Sequence, residues 1–324
     1  MVEVMAIVNL TPDSFAGDGH MRPISAQGGE SAGHAVDTAV QHALRAAELG
    51  AAWVDLGAES SRPGAIPVSE DQELQRLVPV LRTLARERAR RSTRTFRISV
   101  DTMKPAVMAK ALDEGADMLN DVNGFRAPGA WPVAVQAARI CMVHMLGTPR
   151  TMQYNPTYPD SHAASRAPTG PASYPPRYAP SAFSANTDGV VDAVRLFLAE
   201  RIDEGCRFGL DPARVVVDPG IGFGKTLEHN LMLMQAVHRL QWPHPDRPDR
   251  KYPVLIGASR KRMIGELTGK PVEQRCAGSI GAAIAASEAG ASILRVHDVD
   301  ATVDALRVYW ACRTVREADV LLTR

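Results

Sequence analysis

Short apolar runs rich in valine and isoleucine, each bounded by polar residues, recur along the whole chain and alternate with longer stretches of helical spacing. They fall at Val4–Asn9, Trp53–Gly57, Arg97–Asp101, Met118–Val122, Ile140–Met145, Val215–Asp218, Val254–Gly257 and Ile293–His297. Runs that are apolar on both faces are expected of parallel strands covered by helices, and strict strand–helix alternation marks βα units. Eight such units predict one α/β domain over residues 1–324, a (β/α)₈ TIM barrel.

The joins repeat a signal. Leu49-Gly50-Ala51, Glu114-Gly115-Ala116 and Ala289-Gly290-Ala291 each close a helical pattern just before a strand, and glycine there ends a helix in the left-handed conformation without a Cβ penalty. Ser69-x-x-Gln72 resembles a capping box that starts the helix after the second strand, and Pro105 suits a first helical turn after the third. One segment breaks the rhythm. Residues 156–187, after the fifth strand, are crowded with Pro, Ser, Ala, Thr and Tyr and show no period. They are read as a mobile, low-complexity insertion rather than a lid.

Composition narrows the function classes. At 324 residues, 45% hydrophobic and 23% charged, the chain suits a globular protein with a large core. Thirty-seven basic against 36 acidic residues leave a net charge of +1, so no global field recruits nucleic acid or an anionic membrane, and any anion site must be local. Cys141, Cys206, Cys276 and Cys312 are far apart and lack zinc spacing, so they read as buried thiols in a reducing compartment. The opening MVEVMAIVNL has neither the basic start nor the apolar run of a signal peptide, and no stretch approaches a membrane span. A cytoplasmic protein is expected.

A parallel barrel builds its site at the C-terminal ends of its strands. Here the strands run out into Asn9, Asp55 with Glu59, Asp101, Asn120 with Asp121, His144, Asp218, Ser259-Arg260-Lys261, and Arg295 with His297 and Asp298. One polar strand end commonly only meets water; eight of eight point to a site. Asp101, Asn120 and Asp218 can exchange hydrogen bonds along the edge of a flat heterocycle bearing amino and oxo groups, with Met145, Met142 or Phe223 as apolar walls or as core. Arg260-Lys261-Arg262 and Arg295-x-His297 follow the last two strands, where barrels often bind phosphate. The run Asn9-Leu10-Thr11-Pro12-Asp13-Ser14-Phe15 is a turn former whose Asn9 amide oxygen could also bind Mg²⁺. Gly220-Ile221-Gly222-Phe223-Gly224-Lys225-Thr226 fits neither a Walker A loop nor a dinucleotide fingerprint. It is read as a glycine-rich turn that lets a ligand approach the backbone.

NLTPDSF (9–15), ESSRPGA (59–65), SVDT (99–102), NDVNGF (120–125), VHMLGTPRTMQ (143–153), DPGIGFGKTLEHN (218–230), GASRK (257–261) and LRVHDV (294–299) together resemble the dihydropteroate synthase family, from Ala6 to about Val308. The resemblance implies a transferase that joins p-aminobenzoate to 7,8-dihydropterin pyrophosphate with Mg²⁺. It implies a pterin set of Asp101, Asn120, Asp218 and Lys261, with Asp101, Asp218 and Lys261 nearest the chemistry. It further implies Asn9, Arg295 and His297 for metal and pyrophosphate, and Ser61, Arg62 and Pro63 in a loop closing over p-aminobenzoate near Phe223 and Lys261. A homodimer through barrel helices is also implied; the apolar late helix with Val308, Tyr309 and Trp310 suits such a contact or internal packing. The chain departs from the family pattern at Ala58, Ser61, the insertion, and Arg262, where the family has a serine beside the p-aminobenzoate carboxylate. A methyltetrahydrofolate-type methyltransferase and a pterin-binding paralogue without synthase activity are the competing readings.

Overall fold

The computed structural model describes residues 2–11, 32–62, 64–90, 96–158, 189–244 and 247–314. Pro12–Phe15 with the glycines that follow, Pro63, and residues 159–187 of the expected insertion lie outside the described residues.

Eight parallel strands form the centre: β1 Glu3–Asn9, β2 Trp53–Gly57, β3 Arg97–Asp101, β4 Met118–Asp121, β5 Arg139–Val143, β6 Val215–Asp218, β7 Leu255–Ile256 and β8 Ile293–Val296. Their order is β6-β5-β4-β3-β2-β1-β8-β7, and a parallel bridge between Val217 and Val254 brings the two ends of the sheet together. The expected barrel is therefore present. Its seventh strand is shorter than the apolar pattern suggests, since Val254 takes part only in the isolated bridge to Val217 and the ladder with β8 covers Leu255 and Ile256 alone.

Around the strands stand α1 Ala32–Glu48, α2 Glu70–Arg90, α3 Pro105–Asp113, α4 Ala130–Ala134, α5 Gly189–Arg207, α6 Leu227–Gln235, α7 Arg262–Thr268, α8 Cys276–Glu288 and α9 Val299–Thr314. The stop and start signals act as read. Gly50, Gly115 and Gly290 have φ of 113°, 95° and 104°. Ser69 and Gln72 cap one another reciprocally, the Ser69 N–H donating to Gln72 Oε1 at 3.1 Å and the Gln72 N–H to Ser69 Oγ at 3.2 Å. Pro105 opens α3.

Strand parity divides the core. Side chains two apart share a face, so Val54, Leu56, Ile98, Val100, Leu119, Ile140, Met142, Val215 and Val217 pack outward against the helices. That places Met142 in the outer core, and it is no pocket wall. Met5, Trp53, Met118, Cys141, Val143, Val216, Leu255 and Ile293 fill the barrel lumen. At its N-terminal end the Trp53 indole donates to Glu3 Oε2 at 2.7 Å, while Arg97 pairs with Glu3 Oε1 at 2.5 Å and lies 4.1 Å from the Trp53 ring centroid. The lumen is thus plugged below. On β2, β4, β6 and β8 the next inward positions, two residues beyond Trp53, Met118, Val216 and Ile293, are the polar Asp55, Asn120, Asp218 and Arg295 at the C-terminal mouth.

Candidate active site

Register fixes what meets at that mouth. Asp55 pairs in the ladder with Ser99, Gly57 with Asp101, and Asp101 with Asn120, so inward parity carried up from Trp53 and Met118 delivers Asp55, Asp101 and Asn120 to the same inward face. Arg295 enters from β8, two residues above Ile293. Its Nε donates to Asp55 Oδ2 at 2.6 Å and its Nη2 to Asp101 Oδ2 at 2.9 Å. Asn120 Nδ2 donates to Asp55 Oδ2 at 3.3 Å, which leaves Asp55 Oδ1 and Asn120 Oδ1 buried and without partners among the described residues. One guanidinium facing two carboxylates leaves an excess negative charge in a dry site. Burial accordingly raises the Asp101 carboxyl to about 7, against the pull of Arg295 and with the repulsion of Asp55. These atoms are preset to receive N–H donors.

Asp218 ends β6 and is also buried, and burial raises its carboxyl despite Lys261 and the Gly220 N–H, which donates to Oδ1 at 2.7 Å. The turn after it is held tightly. The Gly222 N–H donates to Asn230 Oδ1 at 2.7 Å, Gln153 Nε2 donates to the Gly222 carbonyl at 2.7 Å, and a Cβ at Gly220 would collide with the His144 carbonyl oxygen. Lys225 is buried with its Nζ 2.9 Å from His144 Nδ1 and within 3.1 Å of the Phe223 carbonyl. A phosphate-binding loop would present that lysine and those amides to a ligand; here they are consumed by the protein, in keeping with the rejection of a nucleotide motif.

The basic trio after β7 points three ways. Arg260 adopts a left-handed φ of 57° and its guanidinium grips Asp298 at 2.6 and 3.1 Å. Lys261 turns inward, its Nζ donating to the Ile221 carbonyl and standing 4.2 Å from the Phe223 ring centroid. Burial lowers its ammonium to about 8, although Asp218 opposes the shift. The Arg262 side chain is 81% exposed and paired with Glu266 at 2.6 Å one helical turn on. Arg262 therefore does not face the pocket, and the trio is not one anion cluster.

Arg295 and His297 do not form a cation pair either. His297 Nδ1 lies 3.1 Å from Ser259 Oγ, and burial together with Arg260 and Arg295 depresses the imidazole to about 3, leaving it neutral. Two further polar strand ends turn aside. Asp121 follows the inward Asn120 and accepts the N–H groups of Asn123 and Phe125, both at 2.7 Å, while His144 packs edge-on against Phe197. Met145 is buried, and Phe223 packs on the lumen cluster beside Val122. Ser61 is half-buried and Arg62 exposed in the loop after β2; a small cavity lined by Glu59, Ser61, Asp101, Met103 and Val122 separates that loop from the pocket. Asn9 Oδ1 and Asp101 Oδ2 both border the space beside Gly57, 3.9 and 4.0 Å from where a Cβ would stand. No cluster of three or more His, Cys, Asp or Glu suited to a metal occurs among the described residues. A cation at this mouth would therefore find Asn9 as an amide oxygen ligand, an arrangement compatible with Mg²⁺ that keeps water and substrate oxygens.

Comparison with known proteins places the chain in a family. The family model described as pterin binding enzyme matches residues 5–167 and 176–297. The dihydropteroate synthase of Haemophilus influenzae is 36% identical over 310 residues, which cover 95% of this chain and 93% of that protein. The chain belongs to the dihydropteroate synthase family. Among solved structures, dihydropteroate synthase from Burkholderia cenocepacia, complexed with 7,8-dihydropteroate, is 39% identical with a TM-score of 0.74 over 97% of this chain and 92% of that one. The Xanthomonas albilineans dihydropteroate synthase with 4-aminobenzoic acid is 38% identical with a TM-score of 0.73 over 97% and 94%.

Asp55 and Lys104 are the residues of this mouth to which sequence reasoning assigns no role. Asp55 is visible as a strand end, and counting two from the lumen residue Trp53 turns it inward. Lys104, which bridges Glu59 and Glu73 at 2.8 and 2.6 Å, has no local signal, because its partners lie 45 and 31 residues away.

Proposed function

We propose that this chain is a dihydropteroate synthase, a folate-pathway transferase that condenses p-aminobenzoate with 7,8-dihydropterin-6-ylmethyl diphosphate. The amine nitrogen forms a bond to the exocyclic methylene, the carbon–oxygen bond to the diphosphate breaks, and the amine gives up a proton. The observation that carries the reading is the set at the barrel mouth in which buried Asp55, Asn120 and Asp218 stand with the partly buried Asp101, Lys261 and Arg295, acceptors and donors held together by Arg295.

Asp218 and Asn120 accept and donate along the amino and ring N–H edge of the pterin, and Lys261 donates to its oxo side. Asp101, held by Arg295, supports the ring's developing positive charge as the diphosphate departs, so that the site works by positioning and electrostatics rather than by a strong base. Met145 and Phe223 give apolar surface. Ser61, Arg62 and Pro63 belong to the loop that closes on p-aminobenzoate. Arg295 and the neutral His297 lie on the leaving-group side. Mg²⁺ supplies charge neutralisation for the diphosphate when bound, and Asn9 would hold it.

The protein works in the cytoplasm on small molecules, a reading supported by four cysteines present as thiols, of which Cys141 is buried as expected whereas Cys312 is exposed; no helix among the described residues is long and apolar enough to cross a membrane. It acts as a homodimer. In α9, Trp310 donates to Ser287 Oγ at 3.0 Å and so packs within the chain, while Val308 is 64% exposed and available to a partner. Light scattering at two concentrations tests the dimer. The activity is tested by mixing protein, both substrates and Mg²⁺: release of pyrophosphate with formation of dihydropteroate is expected. Pterin binding without pyrophosphate release would indicate a paralogue that only binds, and methyl transfer from a methyltetrahydrofolate would indicate the other class.

A further inference from the structure

The loop after β2 is closed at its neck by one carboxylate. Glu59 Oε1 accepts the N–H of Val68 at 3.0 Å, so a single side chain joins the two ends of the segment that carries Ser61 and Arg62. The other oxygen, Glu59 Oε2, accepts from Lys104 Nζ at 2.8 Å, and the same ammonium donates to Glu73 Oε2 of α2 at 2.6 Å. Glu73 is fully buried and the Glu59 side chain only 9% exposed, so this is an ion triad in a dry place and not a surface pair. Arg76, one turn along α2 from Glu73, donates to the Ala58 carbonyl at 3.0 Å and fixes the backbone just before the neck. Beyond the neck the loop is loosely held: Ile66 is 86% exposed, and the Gly64 N–H reaches the Pro149 carbonyl at 3.4 Å. The short bonds that tie the segment to the barrel thus lie at its neck, on Glu59 and the Ala58 carbonyl.

We propose that Lys104 is a positioning residue for the amine substrate: it touches neither substrate, but through Glu59 it sets where the loop bearing Ser61 and Arg62 stands over the pocket. The cavity lined by Glu59, Ser61 and Asp101 is the space whose shape this brace determines. Burial works against the Lys104 charge, but hydrogen bonds to the two glutamates outweigh it and keep the ammonium protonated. Asp218, Asn120 and Lys261 are placed by β6, β4 and the turn after β7, and Asp101 is held by Arg295 at 2.9 Å, so the pterin half of the site is expected to respond far less to the brace than the loop does. The inference rests on the proposed synthase activity.

The test measures two constants in each variant, the Michaelis constant for p-aminobenzoate and the dissociation constant of the pterin diphosphate without amine. Lys104→Met combined with Glu73→Gln removes the cation together with the fully buried carboxylate and leaves Glu59 only its Val68 hydrogen bond, and Glu59→Gln breaks the ion pair independently while keeping an acceptor for Val68. Both are expected to raise the constant for p-aminobenzoate about tenfold or more and to move pterin binding by less than about threefold. Lys104→Arg, which can still fork to both glutamates, is expected to stay within about threefold of wild type in both constants. Parallel shifts in the two constants, or none in either disrupted variant, would overturn the inference. A wild-type protein that releases no pyrophosphate would instead overturn the synthase reading.

Discussion

A lysine whose ammonium is lowered to about 8 by burial carries a pH signature. Lys261 loses its proton as pH rises through that value, and with it the charge that favours pterin and diphosphate oxygens. Because kcat/KM reports ionisations of the free enzyme, kcat/KM for the pterin diphosphate should fall as pH rises through about 8. Lys261→Arg should move the limb beyond the measurable range, and an unshifted limb would assign it to another group. Asp218→Asn exchanges a charged acceptor for a neutral amide in a desolvated site and should weaken pterin binding by ~2–4 kcal/mol by calorimetry. Arg295 behaves differently. Removing it strands Asp55 and Asp101 together, so Arg295→Ala should cost about 3–5 kcal/mol of stability in denaturant titrations, a structural loss that would mask any effect on diphosphate recognition.

Consecutive residues at a strand-to-helix turn are where sequence and structure part. The trio Arg260, Lys261 and Arg262 reads as one cationic patch, yet the left-handed φ of Arg260 and the start of α7 at Arg262 send the three side chains to Asp298, the pocket and solvent. No periodicity reports a single reversed φ. Where a regular element carries the residue, the sequence is far more legible: the period-2 alternation that puts Met118 in the lumen also puts Asn120 at the mouth, and the glycine stops of α1, α3 and α8 lie where their helices end. Long-range partners such as Arg295 with Asp55, 240 residues apart, depend on barrel closure and leave no local trace. Two expectations belong to these turns. Arg262→Ser should leave the Michaelis constant for p-aminobenzoate within about twofold of wild type, since an exposed pair within a helix is worth little. Gly220→Ala should lower stability by about 1–3 kcal/mol or more and impair turnover, since φ at 70° and the adjacent His144 carbonyl leave no place for a methyl group. A melting temperature equal to wild type would mean that the turn moves aside freely.

The whole barrel has one weak seam, and the proposed ligand spans it. β1 and β2 are paired over five registered positions and β2 and β3 over five, whereas β7 pairs with β8 over two and meets β6 through the bridge of Val217 to Val254. Across that bridge the Val217 N–H donates to the Pro253 carbonyl at 2.9 Å, but Pro253 has no N–H to return. Fewer ladder bonds mean that opening here exposes fewer paired groups, so the free energy of local opening should be lowest at this edge. Amides of Val217, Leu255 and Ile256 should therefore exchange with solvent sooner than those of Val54, Leu56, Ile98 and Val100, although both sets are buried. Asp218 stands on β6 and Lys261 just after β7, on opposite sides of the seam. A pterin held by both would close it, so pterin diphosphate should slow exchange at the seam by about tenfold or more while changing β2 and β3 little. Mass spectrometry of exchange with and without the ligand decides this. Uniform protection in the free protein would mean that side-chain packing in the lumen carries the closure that the hydrogen-bond ladder lacks, and uniform slowing on binding would place the ligand's effect on global stability rather than on the seam.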